Sequence, residues 1–337
     1  MLGMGRSSRP PFRIHAKDRQ GKITEAENWF IDALEEWRIE KKIDRFTLLG
    51  HSLGGYMAVA YALKYPGHLN KLILASPVGI PEDPFAVSAE MPEAEDSTFE
   101  NEFTQDQSST AAKGDNNNFL NAKSKAGNKP NDPPRRPLPK WLTYLWDANI
   151  SPFSLVRWAG PLGPRLVSGW TSRRFSQLPE QEAQALHDYS YSLFRQRGSG
   201  EYALAYILAP GAFARSPLIR RIGGVGRQLI PMEGSAEKVR ERGIPVVMMY
   251  GEHDWMDVKG GYAAEEKLKE VKETALKGKG EEERKTDNGE SKVLIVRGAG
   301  HHVYLDNPDG FNKMMEEEME DVEMRESRRK ELVDRRR

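Results

Sequence analysis

A glycine-flanked serine is the residue pattern in this chain that most clearly predicts catalysis. Residues 50–54 read Gly-His-Ser-Leu-Gly, and they lie between an apolar run suited to a buried strand and an Ala- and Leu-rich run suited to a helix. A sharp strand-to-helix turn holds such a serine in a strained conformation, and we expect Gly50 and Gly54 to let neighbouring backbone approach without a Cβ clash. The motif predicts that Ser52 is a nucleophile and that the amide of Leu53 stabilises an oxyanion.

A serine nucleophile needs a base and an acid that orients the base. In one class of serine enzyme built on an open α/β sheet, these residues follow one another as serine, acid and histidine. Asp254 comes just after the apolar run 245–250, and His301 just after the run 292–296. Both follow the carboxyl end of a predicted strand, where open α/β sheets place their sites. Asp254 is therefore the predicted acid and His301 the predicted base.

Each of the two loops also holds a second candidate. Asp257 is the alternative acid, although Asp254 is nearer the strand end. His302 is the alternative base, although the Gly-Ala-Gly-His sequence at 298–301 favours His301. The remaining histidines are predicted to be structural or exposed: His15, His51, His68, His187 and His253.

The elements that must position these residues alternate between strand and helix. Apolar runs without alternation predict strands buried on both faces, at residues 46–49, 71–75, 245–250 and 292–296. Apolar residues at helical spacing predict helices over 25–41, with Thr24 as its N-cap, and over 53–65. This alternation predicts a parallel sheet of the α/β class.

Composition excludes several classes of protein. The 337 residues carry 50 basic and 50 acidic side chains and no cysteine. A net charge of zero leaves no excess of cations for nucleic acid phosphates, and the lack of cysteine excludes disulfides and thiolate metal sites. The longest strongly apolar stretches are about as long as residues 244–250, whereas a membrane-spanning helix needs about 20 apolar residues. We expect neither a nucleic acid partner nor an integral membrane segment.

Uneven hydrophobicity predicts the domain organisation. Six of the 52 residues from 88 to 139 are large and apolar, too few to offset the entropy cost of ordering the segment. The polar run 278–291 predicts a loop, and 16 of the last 22 residues are charged. The predicted parts are a core segment with the serine motif (1–87), a disordered insertion (88–139), a helical cap (140–230), a second core segment with the acid and histidine loops (231–315), and a charged tail that continues a helix begun near Pro308 (316–337).

Several phrases of the sequence resemble one known family. They are Leu-Gly-Met-Gly-Arg-Ser-Ser at 2–8, Gly-His-Ser-Leu-Gly-Gly at 50–55, Ala-Leu-Lys-Tyr-Pro at 62–66 and Gly-Ala-Gly-His at 298–301. With phrases of the predicted cap, they are similar to the α/β-hydrolases that include the fungal mitochondrial cardiolipin-specific phospholipase and the animal lipid-droplet coactivators. The resemblance covers nearly the whole chain apart from residues 88–139, the polar run 278–291 and the tail. It implies an α/β-hydrolase fold with an inserted helical cap.

The resemblance also implies a function. We expect a serine hydrolase that cleaves phospholipid acyl esters, as a cardiolipin-type deacylase or related lipase, with no metal or organic cofactor. One alternative is a lysophosphatidic acid acyltransferase that uses His301 and Asp306, an H-x4-D pattern, with acyl-CoA as its donor. Another is a catalytically weak scaffold that binds lipid.

The predicted cap suggests how the chain meets its substrate. Residues 141–230 hold ten arginines, no lysine, five acidic residues and thirteen aromatic residues. Arginine binds phosphate through a planar fork, and Trp and Tyr suit a water–lipid boundary, so the composition fits a cap that rests on a phospholipid surface. The arginines predicted to bind lipid are Arg173, Arg174, Arg220 and Arg221. Resemblance places the protein in mitochondria, with lipid droplets or the cytoplasm as alternatives.

The first residues carry one further expectation. Compared with the family, the chain begins where the fourth strand of the sheet ends, so the first strands and the loop that supplies a second oxyanion donor have no counterpart. On that basis we expect a truncated sequence with a partial sheet, an open edge along residues 45–49 and weakened or absent activity, since losing one such donor costs about 100- to 1,000-fold in turnover.

Overall fold

The computed structural model describes residues 1–82, 146, 148–151, 153–175, 178–209, 212–231 and 237–334. The predicted disordered insertion at 88–139 lies outside these residues. The chain divides into two compact units, the first formed by Met1–Leu34 and Asp83–Ser216 and the second by Glu35–Glu82 and Pro217–Arg337.

The strands of the second unit form two sheets. A parallel sheet has the order β1-β2-β5-β6, and a small antiparallel pair joins β3 and β4. The described strands are β1 (Phe46–His51), β2 (Leu69–Ala75), β3 (Leu229–Pro231), β4 (Lys238–Arg240), β5 (Pro245–Gly251) and β6 (Glu290–Val296). The four predicted strands and their parallel arrangement are thus confirmed. Among the described residues β1 pairs with β2 alone, and Leu49 on this edge is 39% exposed.

Burial explains why the sheet strands lack alternation. Every residue of β5 is buried, as are six of the seven residues of β2, because both faces of these central strands are covered. On one face a core cluster combines strand residues with residues of the loop and helices that follow β6. The cluster comprises Ile73, Ala75, Val247, Met249, Val296, Ala299, Val303 and Phe311.

The helices correct two of the predicted boundaries. The described helices are α1 (Arg19–Glu40), α2 (Leu53–Lys64), α3 (Phe153–Trp158), α4 (Gly163–Arg174), α5 (Glu180–Phe194), α6 (Leu204–Ile207), α7 (Val258–Leu276), α8 (Glu281–Lys285), α9 (Val303–Asp306) and α10 (Pro308–Asp334). Helix α2 matches its prediction closely. Thr24 as an N-cap is wrong, because α1 begins at Arg19 and Asp18 Oδ2 accepts a hydrogen bond of 2.8 Å from the Gly21 amide. The predicted loop at 278–291 contains α8 and the start of β6.

Helix α10 explains why the charged end of the sequence is ordered. The buried Lys71 of β2 donates hydrogen bonds of 2.7 Å to Glu318 Oε2 and to Asp321 Oδ2. Glu318 also forms a 2.6 Å ion pair with Lys292 of β6. Val322, on the same helix as Glu318, is buried. Residues 316–334 therefore continue a helix, as predicted, but charges on one side of that helix pair with the sheet rather than with solvent.

The described residues of the first unit are mainly helical. Helices α3, α4 and α5 pack on one another, and Phe153 and Phe194 stack with ring centroids 4.5 Å apart. These helices lie in the chain between β2 and β5, which confirms the inserted helical segment expected for the fold. The N-terminal segment of this unit is joined to its later part, where the Ser199 hydroxyl donates a 2.6 Å hydrogen bond to the Pro10 carbonyl. Among the described residues no helix has the length and apolar character needed to span a membrane.

Candidate active site

The serine lies in a strained turn between β1 and α2. Ser52 has φ 53° and ψ −119°, a left-handed conformation that side chains other than glycine rarely adopt. The turn is held by the Ser52 amide, which donates a 2.9 Å hydrogen bond to the Ala75 carbonyl at the end of β2. A Cβ on Gly50 would lie 2.3 Å from the Gly54 carbonyl oxygen, so only glycine fits before the serine.

The expected role of Gly54 is wrong in one respect. A Cβ built on Gly54 would meet no atom of the described residues within 4 Å, whereas one on Gly55 would lie 2.8 Å from the Pro77 side chain. Close approach therefore depends on Gly50 and on Gly55, while Gly54 contributes the carbonyl that Gly50 must avoid.

Asp254 and His301 come together because β5 and β6 are neighbouring parallel strands. The loops after them are joined by backbone hydrogen bonds, including 2.9 Å from the His253 amide to the Ala299 carbonyl. A Cβ on Gly251 would lie 2.1 Å from the Gly300 carbonyl oxygen, so this approach requires glycine at the end of β5.

The structure brings the three predicted side chains into one hydrogen-bonded line. His301 Nε2 lies 3.1 Å from Ser52 Oγ, and His301 Nδ1 lies 3.1 Å from Asp254 Oδ1. The side chains of His301 and Asp254 are 0% and 1% exposed. The Trp255 ring covers the imidazole at a centroid distance of 5.0 Å. This is the arrangement in which a neutral imidazole accepts a proton from a serine while a carboxylate fixes its tautomer.

The charge of Asp254 is maintained in spite of burial. Burial by itself raises the pKa of this carboxyl, but the hydrogen bond and charge of His301, together with the hydrogen bond from the Met256 amide, outweigh burial, so the pKa is lower than usual. The Met256 amide donates to Asp254 Oδ1 at 3.0 Å. Asp254 is therefore ionised at neutral pH, and its negative charge stabilises an imidazolium that forms on His301.

The two alternative residues have other positions. Asp257 is the N-cap of α7, where its Oδ1 accepts a 2.9 Å hydrogen bond from the Lys259 amide. The buried His302 Nδ1 has no hydrogen-bond partner among the described residues. Neither Asp257 nor His302 belongs to the hydrogen-bonded line from Ser52.

His51, predicted from the sequence only to be structural or exposed, lies at the site. Its Nε2 donates a 2.9 Å hydrogen bond to the His301 carbonyl, and its ring lies 4.8 Å from the His301 ring. It also contacts the rings of His302 and Tyr304. His51 therefore ties the serine turn to the histidine loop. Its position directly before Ser52 was the one signal available in the sequence.

Asp306 supports the histidine loop from the other side. Its Oδ2 accepts a 2.9 Å hydrogen bond from the Gly300 amide. The next residue, Asn307, caps α10, because its Oδ1 accepts a 2.9 Å hydrogen bond from the Gly310 amide. Both ring nitrogens of His301 are already engaged, one by Ser52 and the other by Asp254. The H-x4-D pair is thus adjacent in the fold without forming a second His–Asp dyad at the imidazole nitrogens.

The remaining predicted residues fall in different places. Leu53 is the first residue of α2, so its backbone amide lies at the positive end of the helix dipole. Arg220 forms a 2.7 Å ion pair with Glu82, and the Arg221 guanidinium lies 5.0 Å from the Tyr56 ring centroid. Arg173 and Arg174 end helix α4, but their side chains lie outside the described residues. Among the described residues no cluster of three or more His, Asp or Glu could hold a metal ion.

Comparison with known proteins agrees with this architecture. The model of a family described as alpha/beta hydrolase fold matches residues 1–308. A relative from Arabidopsis thaliana named 1-acylglycerol-3-phosphate O-acyltransferase is 32% identical over 317 residues, which cover 92% of this chain and 56% of the relative.

Two further relatives carry the same enzyme name. The protein named 1-acylglycerol-3-phosphate O-acyltransferase ABHD5 in Rattus norvegicus is 29% identical, over 94% of this chain and 67% of its own length. The protein named 1-acylglycerol-3-phosphate O-acyltransferase ICT1 in Saccharomyces cerevisiae is 27% identical, over 90% of this chain and 61% of its own length. The chain spans a little over half the length of the plant relative.

Proposed function

Because the chain belongs to the α/β-hydrolase fold family, with which residues 1–308 match, we propose that it is a serine carboxylic ester hydrolase acting on phospholipid acyl esters. The observation that carries the proposal is the hydrogen-bonded line Ser52, His301 and Asp254, with 3.1 Å at each hydrogen bond. Such a line activates a serine, and a serine activated in this way attacks an acyl carbon.

The residues act in a defined order in this proposal. Ser52 Oγ attacks the ester carbonyl while its proton moves to His301 Nε2, and Asp254 stabilises the resulting imidazolium. The Leu53 amide donates to the oxyanion. Collapse of the tetrahedral species passes the proton from His301 to the leaving lysophospholipid oxygen and leaves an acyl-Ser52 ester. Water then attacks that ester while His301 takes its proton, and collapse of the second tetrahedral species returns the proton to Ser52 Oγ and releases the fatty acid.

A second candidate is favoured by the names of the relatives and by the His301–Asp306 pattern. It is the transfer of an acyl group from acyl-CoA to lysophosphatidic acid. The geometry supports it less well, because the two His301 ring nitrogens are used by Ser52 and Asp254, while Asp306 binds the Gly300 amide. A catalytically weak lipid scaffold is the third candidate, and it needs no activated Ser52.

One experiment separates these candidates. Purified protein and its Ser52→Ala variant are incubated with phospholipid vesicles, cardiolipin included, and separately with lysophosphatidic acid and acyl-CoA. Fatty acid release without acyl-CoA that disappears in the variant supports the hydrolase. Phosphatidic acid that forms only with acyl-CoA and survives Ser52→Ala supports the acyltransferase, and no product in either reaction supports the scaffold. Mitochondrial residence, with lipid droplets or the cytoplasm as alternatives, rests on resemblance and is part of the proposal.

A further inference from the structure

Helices α3 and α4 of the first unit expose large apolar side chains at helical spacing. Leu155 and Trp158 are three residues apart on α3, while Leu162, the residue just before α4, is four residues from Leu166 in the first turn of α4. Trp158 is 73% exposed and Leu162 64%, and both Leu155 and Leu166 are more than half exposed. We call these four side chains the apolar face. Isolated exposed leucines are common, but three leucines and a tryptophan exposed between residues 155 and 166 indicate a binding partner.

The opposite side of the same helices supplies the internal packing. Val167 and Thr171 of α4 are 3% exposed, and Thr171 Oγ1 lies 2.7 Å from His187 Nδ1 of α5. A Cβ on Gly163 would lie 3.0 Å from the Val156 carbonyl oxygen, so α3 and α4 approach closely. Because the packing of α3, α4 and α5 uses this other side, the apolar face is not required to hold these helices together.

Charge indicates which partner fits. Residues 153–174 contain four arginines and no acidic residue or lysine. Arg157 is paired with Glu201 at 2.7 Å, whereas Arg165 is exposed between Leu162 and Leu166 in the sequence. A tryptophan and leucines beside arginine match a phospholipid boundary, where the apolar groups enter the acyl region and the guanidinium binds phosphate.

We propose that the apolar face docks this protein on an anionic phospholipid bilayer, with Trp158 and Leu162 inserted and Arg165 at the headgroups. The inference rests on the phospholipid substrate proposed above and names the surface by which the protein reaches it. It replaces Arg220 and Arg221 as the principal lipid contacts, because Arg220 is paired with Glu82 and Arg221 lies over Tyr56.

Cosedimentation with sucrose-loaded vesicles tests the proposal. The full chain carrying Ser52→Ala is used so that no lipid is consumed, with vesicles of phosphatidylcholine alone or mixed with phosphatidylglycerol. Adding Trp158→Ser and Leu162→Ser should lower the partition coefficient by about 100-fold, roughly tenfold for each side chain removed from the bilayer. Arg165→Gln should lower binding to the anionic vesicles alone, by about fivefold, and added salt should remove that difference.

Trp37→Ser is the matched control, because Trp37 is also about half exposed but belongs to the second unit. Trp37→Ser should bind as the parent does. Circular dichroism shows whether each variant keeps its fold. As a second check, the same surface substitutions are made with Ser52 intact, and these proteins are assayed for hydrolysis of a soluble short-chain ester.

Three results would overturn the docking proposal. The first is equal vesicle binding by the parent and by the Trp158→Ser, Leu162→Ser double variant. The second is vesicle binding that begins only when residues 88–139 are deleted, and the third is a change of oligomeric state in the double variant. The second would mean that the chain covers its own apolar face, and the third that a second copy does. If the wild-type protein binds vesicles as proposed but shows no ester hydrolysis, the proposed function is refuted and the docking proposal stands.

Discussion

Replacing Asp254 by asparagine is the sharpest test of the candidate catalytic line. Asparagine keeps the size of the side chain but removes the negative charge that stabilises an imidazolium on His301. Its amide can also enforce the wrong tautomer of the His301 ring. At the observed 3.1 Å and an effective dielectric constant of about 20, two unit charges attract by about 5 kcal/mol. Both side chains are buried, so solvent screens this attraction little. A barrier higher by that amount corresponds to a rate about 10⁴-fold lower.

The assay is the second-order rate constant for labelling by a fluorophosphonate, read by intact mass, beside hydrolysis of a soluble short-chain ester. Ser52→Ala sets the background. Asp257→Asn is the matched control, because Asp257 caps α7 through the Lys259 amide and asparagine caps equally well. We expect this control to label within about twofold of wild type, since it changes no group hydrogen-bonded to Ser52 or His301.

Two outcomes would refute the assignment. One is an Asp254→Asn protein, folded by circular dichroism, that keeps more than about a tenth of the wild-type rate, against the 10⁴-fold loss calculated from the charge pair. The other is an Asp257→Asn protein that loses as much activity as Asp254→Asn. The second outcome would restore Asp257 as the acid and would require a rearranged loop after β5.

Three further predictions concern the supports of the site and the sheet. Lys71→Met should lower the free energy of unfolding by about 3 kcal/mol, because it leaves the buried Glu318 carboxylate with one partner fewer, and Glu318→Leu added to it should recover at least half, as measured by urea unfolding. His51→Ala should slow fluorophosphonate labelling by about 10- to 100-fold at unchanged secondary structure, because the tie to the His301 carbonyl is lost; an unaltered rate would contradict this role. Glu35 has a pKa below its ordinary value of 4.5, because hydrogen bonds from Arg38 outweigh burial, with help from the Tyr61 hydroxyl. Its contribution to stability is therefore present above pH 4.5 and lost as the pH falls through the lowered pKa, and Glu35→Gln should flatten the acid limb of a stability–pH curve.

The sheet could be predicted because its strands are buried on both faces. Residues 72–75 and 245–250 are apolar without interruption, as expected of strands that are covered on both faces. The antiparallel pair β3–β4 was missed, because three-residue strands whose side chains are partly exposed leave no periodic pattern. The start of α1 was missed because Asp18 caps it, while Thr24 offered an equally good capping residue further along the chain.

The site could be predicted in outline for a different reason. Ser52 is identified by residues adjacent to it in the chain, and the strand ends indicate where Asp254 and His301 must lie. From the sequence, Asp254 was preferred to Asp257 only because it lies nearer the strand end. The three-dimensional distances distinguish the two residues, since Asp254 reaches His301 and Asp257 caps α7. The contribution of His51 depends on a hydrogen bond between residues 250 positions apart, which no local pattern encodes.

Local chemistry therefore determined the elements, the serine turn and the family resemblance, since glycine spacing and hydrophobic periodicity act over a few residues. Tertiary structure decided which side chains meet. The pairing of β5 with β6 brings Asp254 to His301, and the pairing of Lys71 with Glu318 turns part of a charged segment into a helix docked on the sheet. The physical reason is that a hydrogen bond or an ion pair depends on distances of about 3 Å, which folding sets between residues hundreds of positions apart.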